Sequence, residues 1–157
     1  FIYRFLNDID RAEDLVQDTL IKLYTHKDSY REIAKFSTWL YTIAANLART
    51  ELRKIKRRKT FSVSELSRDD REFIISSPDI EPDDENLAQI FEKNVQRALV
   101  ELPDDFKTII ILRDIQELSY DEISKIVEVP LGTVKSRINR GRVKLQELLK
   151  KKEERPY

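Results

Sequence analysis

The chain has 157 residues, 40% apolar and 37% charged, with 29 Lys and Arg against 29 Asp and Glu; that is enough apolar side chain for one domain or two small ones, and it excludes wholesale disorder. With no Cys and a single His, disulfides, thiolate chemistry and cysteine zinc sites are excluded, and any imidazole role falls to His26. Only 2 Gly and no apolar run near the ~18 residues of a membrane span point to a helical binding protein rather than a membrane protein or an enzyme.

The sequence begins at Phe1, with neither Met nor a signal-peptide pattern, so a trimmed N-terminus is expected. From Asp10 to about Tyr24, the residues Ala12, Leu15, Val16, Leu20, Leu23 and Tyr24 recur at threes and fours, which predicts an amphipathic helix. Residues 26–35 lose that period and read as a polar loop carrying Tyr30 and Ile33. Ser37 or Thr38 is placed to cap a second helix running to about Lys59, with Leu40, Ile43, Ala44, Leu47 and Leu52 on one apolar face. From Thr60 to Asp84 periodicity disappears while Ser, Pro and acidic residues accumulate, so this stretch reads as a linker. Two short apolar pieces within it, Phe61-Ser62-Val63 and Phe73-Ile74-Ile75, are able to dock. The chain accordingly divides into 1–60, a linker 61–86, and 87–153.

In the C-terminal part, Leu87, Phe91, Val95, Ala98, Leu99 and Leu102 line one face of a helix that Pro103 ends. Phe106, Ile109, Ile110 and Leu112 carry the next helix. Ser119 and Glu122 form a capping-box signature opening a third, with Ile123, Ile126 and Val127 inward. The turn Glu128-Val129-Pro130-Leu131-Gly132 then leads into a long basic helix from about Thr133 to Lys151. Helix, short turn, basic helix is the helix-turn-helix pattern.

On a helical wheel, Val134, Ile138, Gly141, Leu145, Leu148 and Leu149 share the core side of this last helix. Ser136, Asn139, Arg140 and Val143 lie opposite, with Thr133, Lys135 and Arg137 on the flanks. Hydroxyls, an amide and guanidinium groups are what reads base edges in a major groove, and further cations hold phosphates. The bland alternative is a basic amphipathic helix packed on its own domain and kept soluble by its charges. The earlier helix offers a second surface: Trp39, Tyr41, Asn46, Arg49 and Arg53, with Tyr30 and Phe36 upstream and Lys56 in the basic cluster that follows. Aromatics beside a basic helix hold unstacked bases, although Phe36 and Trp39 also read as core residues, which leaves Tyr30 as the better nucleobase candidate. Glu13, Asp14, Gln17 and Asp18 form an acidic helix face suited to docking a protein; no His or further carboxylate completes a metal-ligand set there.

Charge alternates along the chain. The first thirty residues lean acidic, Arg49 to Lys59 is basic, Glu65 to Glu85 is acidic, and Lys135 to Lys152 is basic again. Two separated basic patches are the footprint of a polyanion binder, or else ordinary solvated helix faces.

Three motifs carry a resemblance. Asp10-Arg11-Ala12-Glu13-Asp14-Leu15-Val16-Gln17-Asp18 and Phe36-Ser37-Thr38-Trp39-Leu40-Tyr41-Thr42-Ile43-Ala44, the latter followed by Asn46-Leu47, are similar to region 2 of bacterial sigma factors. Leu102-Pro103 and Leu131-Gly132-Thr133-Val134-Lys135-Ser136-Arg137-Ile138 resemble region 4. Their order and the two-domain layout resemble the extracytoplasmic-function (ECF) group, with departures at Leu20, where Phe is usual, and Ser124, where Ala is usual. The resemblance implies an all-α fold of two small helical domains joined by a flexible acidic linker, and a cytoplasmic promoter-specificity subunit without catalytic residues, cofactor, metal or membrane insertion. It implies that Glu13, Asp14, Gln17 and Asp18 dock on core RNA polymerase. Tyr30, Phe36, Trp39, Asn46, Arg49, Arg53 and Lys56 would engage the minus-ten element, largely as non-template single strand. Thr133, Lys135, Ser136, Arg137, Asn139 and Arg140 would read the minus-thirty-five element as duplex. The acidic linker would thread toward the polymerase active site or shield the basic patches, and an anti-sigma factor is an implied partner. Two other classes remain: a helix-turn-helix regulator, which would normally dimerise and would not need the docking helix, and a metal-dependent nucleic-acid enzyme, which would need converging carboxylates.

Overall fold

The computed structural model describes residues 1–30, 35–65 and 87–154, with side chains apart from 59–65, 87, 153 and 154. Ile33, Phe61-Ser62-Val63 as side chains, and the linker from 66 to 86 with Phe73-Ile74-Ile75 lie outside the described residues. Among the described residues every regular element is helical: α1 (Ile2–Leu6), α2 (Ile9–Thr25), a 3-10 turn (Lys27–Ser29), α3 (Phe36–Glu65), α4 (Leu87–Glu101), α5 (Asp104–Ile110) running into a π turn (Ile111–Ile115), α6 (Tyr120–Val127) and α7 (Leu131–Glu154).

Local chemistry sets several of these boundaries. Asn7 ends α1 in the left-handed region, φ 53°, and its N–H donates to the Tyr3 carbonyl. Asp8 then caps α2, its Oδ1 accepting the Arg11 N–H at 3.1 Å. Neither Ser37 nor Thr38 caps α3, because the helix starts at Phe36 and the Lys35 carbonyl accepts the Thr38 N–H at 3.0 Å. Thr38 is instead buried in the first turn. α3 continues to Glu65, past the loss of apolar period at Thr60. The Lys- and Arg-rich stretch that precedes it, Arg53 to Lys59, is helix-favouring.

The two halves of the chain are packed on each other. α3 lies against α2 on one side and α6 on the other, α1 touches α2, α3 and α4, and α7 packs on α4, α5 and α6. One core cluster joins Ala45 of α3 to Ile109, Leu112, Ile123, Ile126, Val134 and Ile138. A second joins Phe5, Ala48 and Leu52 to Leu99, Leu102, Ile110 and Ile111. The ring of Phe1 borders both and stacks edge-on against Phe5 and Tyr41, with centroids 5.1 and 5.0 Å away.

The centre of this arrangement is the stretch Ile109-Ile110-Ile111-Leu112, all four fully buried. Ile109 and Leu112 enter one cluster, Ile110 and Ile111 the other. A helix covered on more than one side is apolar around its circumference, which is why Ile111 is buried although a single-face reading leaves it out. Each such side chain contributes about 1.5–3 kcal/mol of burial. The same single-face logic fails in two further places. Phe91, expected inward on α4, is exposed; Val16, Leu20 and Tyr24, expected inward on α2, are also exposed, while Ala12, Leu15 and Thr19 face the core. Thr19 satisfies its buried hydroxyl by donating to the Leu15 carbonyl at 2.6 Å.

Candidate nucleic-acid interface

The helix-turn-helix is built from α6 and α7. Ser119 caps α6: its Oγ accepts the Glu122 N–H at 3.3 Å while the Ser119 N–H donates to Glu122 Oε2 at 2.9 Å. The Ser119 N–H and the Ser119 hydroxyl, which donates to Glu122 Oε2 at 2.8 Å, together with the Lys35 ammonium 3.0 Å from Glu122 Oε1, hold that carboxyl down from 4.5 to about 2. At the far end Glu128 turns the chain with φ 54°, a left-handed conformation. Ser124 Oγ donates to the Val129 carbonyl at 2.6 Å, tying α6 to the turn. Val134 and Ile138 then anchor α7 in the core and fix which face looks outward.

Along that outward face Lys135, Asn139, Arg140 and Val143 are exposed, and Thr133 and Ser136 are half-buried. Ser136 Oγ donates to the Thr133 carbonyl at 3.0 Å. Arg137 behaves differently from its neighbours: it is half-buried, 3.1 Å from Asp105 Oδ2. Further along, Arg142 donates to both carboxylate oxygens of Asp114, an ion pair that keeps the guanidinium charged. Lys152 pairs with Glu101. The basic block thus divides into cations paired with neighbouring helices and cations facing outward.

The second surface gathers aromatics at the start of α3. The ring centroids of Tyr30, Phe36 and Trp39 lie 5.2 to 6.0 Å apart. Phe36 is 53% exposed and Tyr30 and Trp39 are half-buried, so Phe36 is no core residue. On the next turns Asn46 and Arg53 are exposed. Arg49 is half-buried, donates to Asn46 Oδ1 at 2.8 Å, and leaves its Nε buried without a partner among the described residues. Lys56 Nζ reaches Asp104 at 2.9 Å. A cluster of edge-to-face and tilted rings followed by amide and guanidinium groups can hold an unpaired base and the phosphates flanking it.

The third surface is the outer side of α2. Glu13, Asp14, Gln17 and Asp18 are all exposed there, interleaved with exposed Val16, Leu20, Ile21 and Tyr24. Acidic groups set among uncovered apolar ones have the composition of a surface that another protein can cover; periodicity assigns the apolar half to the core. Among the described residues no three His, Cys, Asp or Glu side chains come together as a metal site, and no helix is long and apolar enough to cross a membrane.

Residues 1–58 match the family described as Sigma-70 region 2, and residues 92–145 match Sigma-70, region 4. The chain is 36% identical over 151 residues to the ECF RNA polymerase sigma factor SigW of Bacillus subtilis, covering 94% of this chain and 80% of that protein. It is 35% identical over 152 residues to the RNA polymerase sigma-H factor of Pseudomonas aeruginosa, covering 94% and 78%. Among solved structures, the sigma factor RpoE bound to the anti-sigma factor NepR from Bartonella quintana aligns with a TM-score of 0.66 and 32% identity, over 95% of this chain and 87% of that one.

Proposed function

The chain belongs to the ECF RNA polymerase sigma factors, and from that membership we propose how its three surfaces divide the work. The protein is a promoter-specificity subunit, not an enzyme: it binds core RNA polymerase and recognises promoter DNA for initiation. Residues 1–60 supply the docking and minus-ten surfaces, 87–153 the minus-thirty-five surface, and 61–86 connects them. It works on the template in the cytoplasm, and its activity is held in check by an anti-sigma factor, the kind of partner bound to the Bartonella relative.

Glu13, Asp14, Gln17 and Asp18 dock on the polymerase, with Val16, Leu20 and Tyr24 contributing apolar area beside them. Lys135, Asn139 and Arg140 reach base edges of the minus-thirty-five duplex from the first turns of α7, flanked by Thr133 and Ser136. Arg137 joins them by exchanging Asp105 for a phosphate. Tyr30, Phe36 and Trp39 stack on non-template bases of the minus-ten element, and Asn46, Arg49, Arg53 and Lys56 hold that strand. Melting follows from differential binding, since a flipped base gains ring contacts that a paired base does not offer.

What supports this reading best is the outward face of α7, where Lys135, Asn139, Arg140 and Val143 stay exposed beside a capped α6. The test is native-gel binding to purified bacterial core polymerase, followed by permanganate probing of thymines around minus ten. Phe36→Ala should retain core binding and lose thymine reactivity. Unchanged reactivity would remove Phe36 from the melting role.

A further inference from the structure

Asn46 and Arg49 are three residues apart on α3, a spacing that makes side chains neighbours on a helix surface. Helical side chains lean toward the N-terminus, so Arg49 reaches back over Asn46, and its Nη2 donates to Asn46 Oδ1 at 2.8 Å. The guanidinium does not simply float in solvent. Arg49 is half-buried, and its Nε is buried without a hydrogen-bond partner among the described residues. A freely solvated arginine would keep that N–H in water, because an unpaired buried donor is costly.

Chemistry fixes the polarity of this contact. A guanidinium carries five N–H donors and no acceptor, so the Asn46 amide must turn its oxygen toward Arg49 and its nitrogen away. Asn46 is exposed, and its Nδ2 makes no hydrogen bond among the described residues. An asparagine free to rotate presents a donor and an acceptor side by side, the combination that grips adenine. With its oxygen committed to Arg49, Asn46 presents N–H donors instead. Thymine, cytosine and guanine each offer such a donor a carbonyl oxygen. Adenine has none, offers only ring nitrogens, and loses the second bond from its amino group to the amide oxygen.

The amide also stands where a base can reach it. Trp39, Asn46 and Arg53 recur every seven residues, which places them on one face of α3, about 10 Å from one to the next. The Trp39 ring packs with Tyr30 and Phe36, so Asn46 lies between the aromatic cluster and the basic end of the helix.

We propose that Arg49 is a positioning residue for Asn46, turning its amide so that it selects a base with a carbonyl oxygen over adenine at one position of the minus-ten single strand. The inference rests on the minus-ten assignment above and adds to it the hydrogen-bonding sense in which the base is read. Arg49 acts through Asn46 and need not touch the base itself.

Transcription by core polymerase and the full chain from a promoter library randomised at minus ten tests this. The parent should disfavour adenine at one position. Arg49→Leu frees the amide and should reduce that discrimination about fivefold, toward the low end of what a bidentate base contact is worth. Arg49→Lys, whose ammonium is also a donor without an acceptor, should retain it. Asn46→Asp keeps a partner for Arg49 but presents only acceptors, so it should admit adenine through its amino group and reject thymine, which has none. Should Arg49→Leu fail to fold, Asn46→Asp, at an exposed position, carries the test. Equal weakening on all sequences by Arg49→Leu, with discrimination intact, overturns the inference and leaves Arg49 a phosphate contact. An Asn46→Asp profile identical to the parent's overturns it too, as does a parent that accepts adenine throughout the element. Each of these results leaves the sigma reading standing; absence of any core-dependent selective transcription by the parent overturns the sigma reading itself.

Discussion

Lys56 and Asp104, 48 positions apart, form a bidentate contact in which one ammonium lies 2.9 Å from both carboxylate oxygens. The lysine side chain is 61% exposed, so the pair contributes little to stability, on the order of 0–1 kcal/mol. In the proposed division of surfaces the same lysine also serves as a phosphate contact. Lys56→Ala should leave the melting temperature within a degree or two, weaken promoter binding alike across sequences, and reduce the salt slope by about 1. Filter binding at several salt concentrations measures this; a change confined to one promoter sequence would contradict it.

Arg140 is exposed on α7, with no ion pair competing for it among the described residues. Arg140→Ala should cost about 1–3 kcal/mol against the preferred minus-thirty-five sequence and relax preference at one or two positions. Selection from a randomised minus-thirty-five library reads this out. Uniform weakening without a change of preference would reassign the residue to phosphate contact.

Asp14 sits on the outer face of α2, exposed among Glu13, Gln17 and Asp18. Asp14→Arg should weaken core polymerase binding about tenfold through loss of charge complementarity. The melting curve should be unchanged, since the residue is exposed. Equal affinity of variant and parent for core would remove the acidic face from the docking surface.

The two glycines of α7 should respond in opposite directions to alanine. A Cβ at Gly132 meets nothing within 4 Å, whereas at Gly141 it lies 3.0 Å from Ile110 Cγ1 and 3.4 Å from Phe106 Cβ. Gly132→Ala gains helix propensity, at most about 1 kcal/mol. Gly141→Ala gains the same but pushes on the fully buried Ile110, an overpacking cost of about 1–3 kcal/mol. Thermal melts should rise for the first and fall for the second; a rise for Gly141→Ala would show that Ile110 yields freely.

How far these features are legible in the sequence depends on how many partners each helix has. Ser119 and Glu122 announce their cap because the motif is local, and Val134, Ile138 and Gly141 announce the inner face of α7 because that face is single. Ile111 is missed because it belongs to a helix covered on more than one side, and Val16, Leu20 and Tyr24 are misassigned because exposed apolar residues recur here with the same period as a core face. The pairings of Arg137 with Asp105 and Lys56 with Asp104 join residues distant in the chain, so no spacing rule reaches them. Phe36 is misread for a related reason: an exposed aromatic ring and a buried one are the same residue in the sequence.

Glu122 ties acid stability to the helix-turn-helix. Its folded value, about 2, lies below the ordinary 4.5 because the Ser119 N–H, the Ser119 hydroxyl and Lys35 favour the carboxylate. The stabilisation is therefore complete above pH 4.5 and is lost as pH falls toward 2. Glu122→Gln should flatten the stability profile across that window, as followed by urea unfolding at successive pH values. A parallel profile for variant and parent would show that other carboxylates govern acid unfolding.

We propose that this chain directs core RNA polymerase to promoters through two separate DNA-reading surfaces. Run-off transcription by core polymerase from a library randomised at both elements, with and without the chain, tests it most directly. Initiation is expected only when the chain is present, from templates sharing both a minus-thirty-five and a minus-ten sequence, with each preference altered by substitutions in its own half. Duplex binding by the chain alone, with no core association and no selective transcripts, would contradict it.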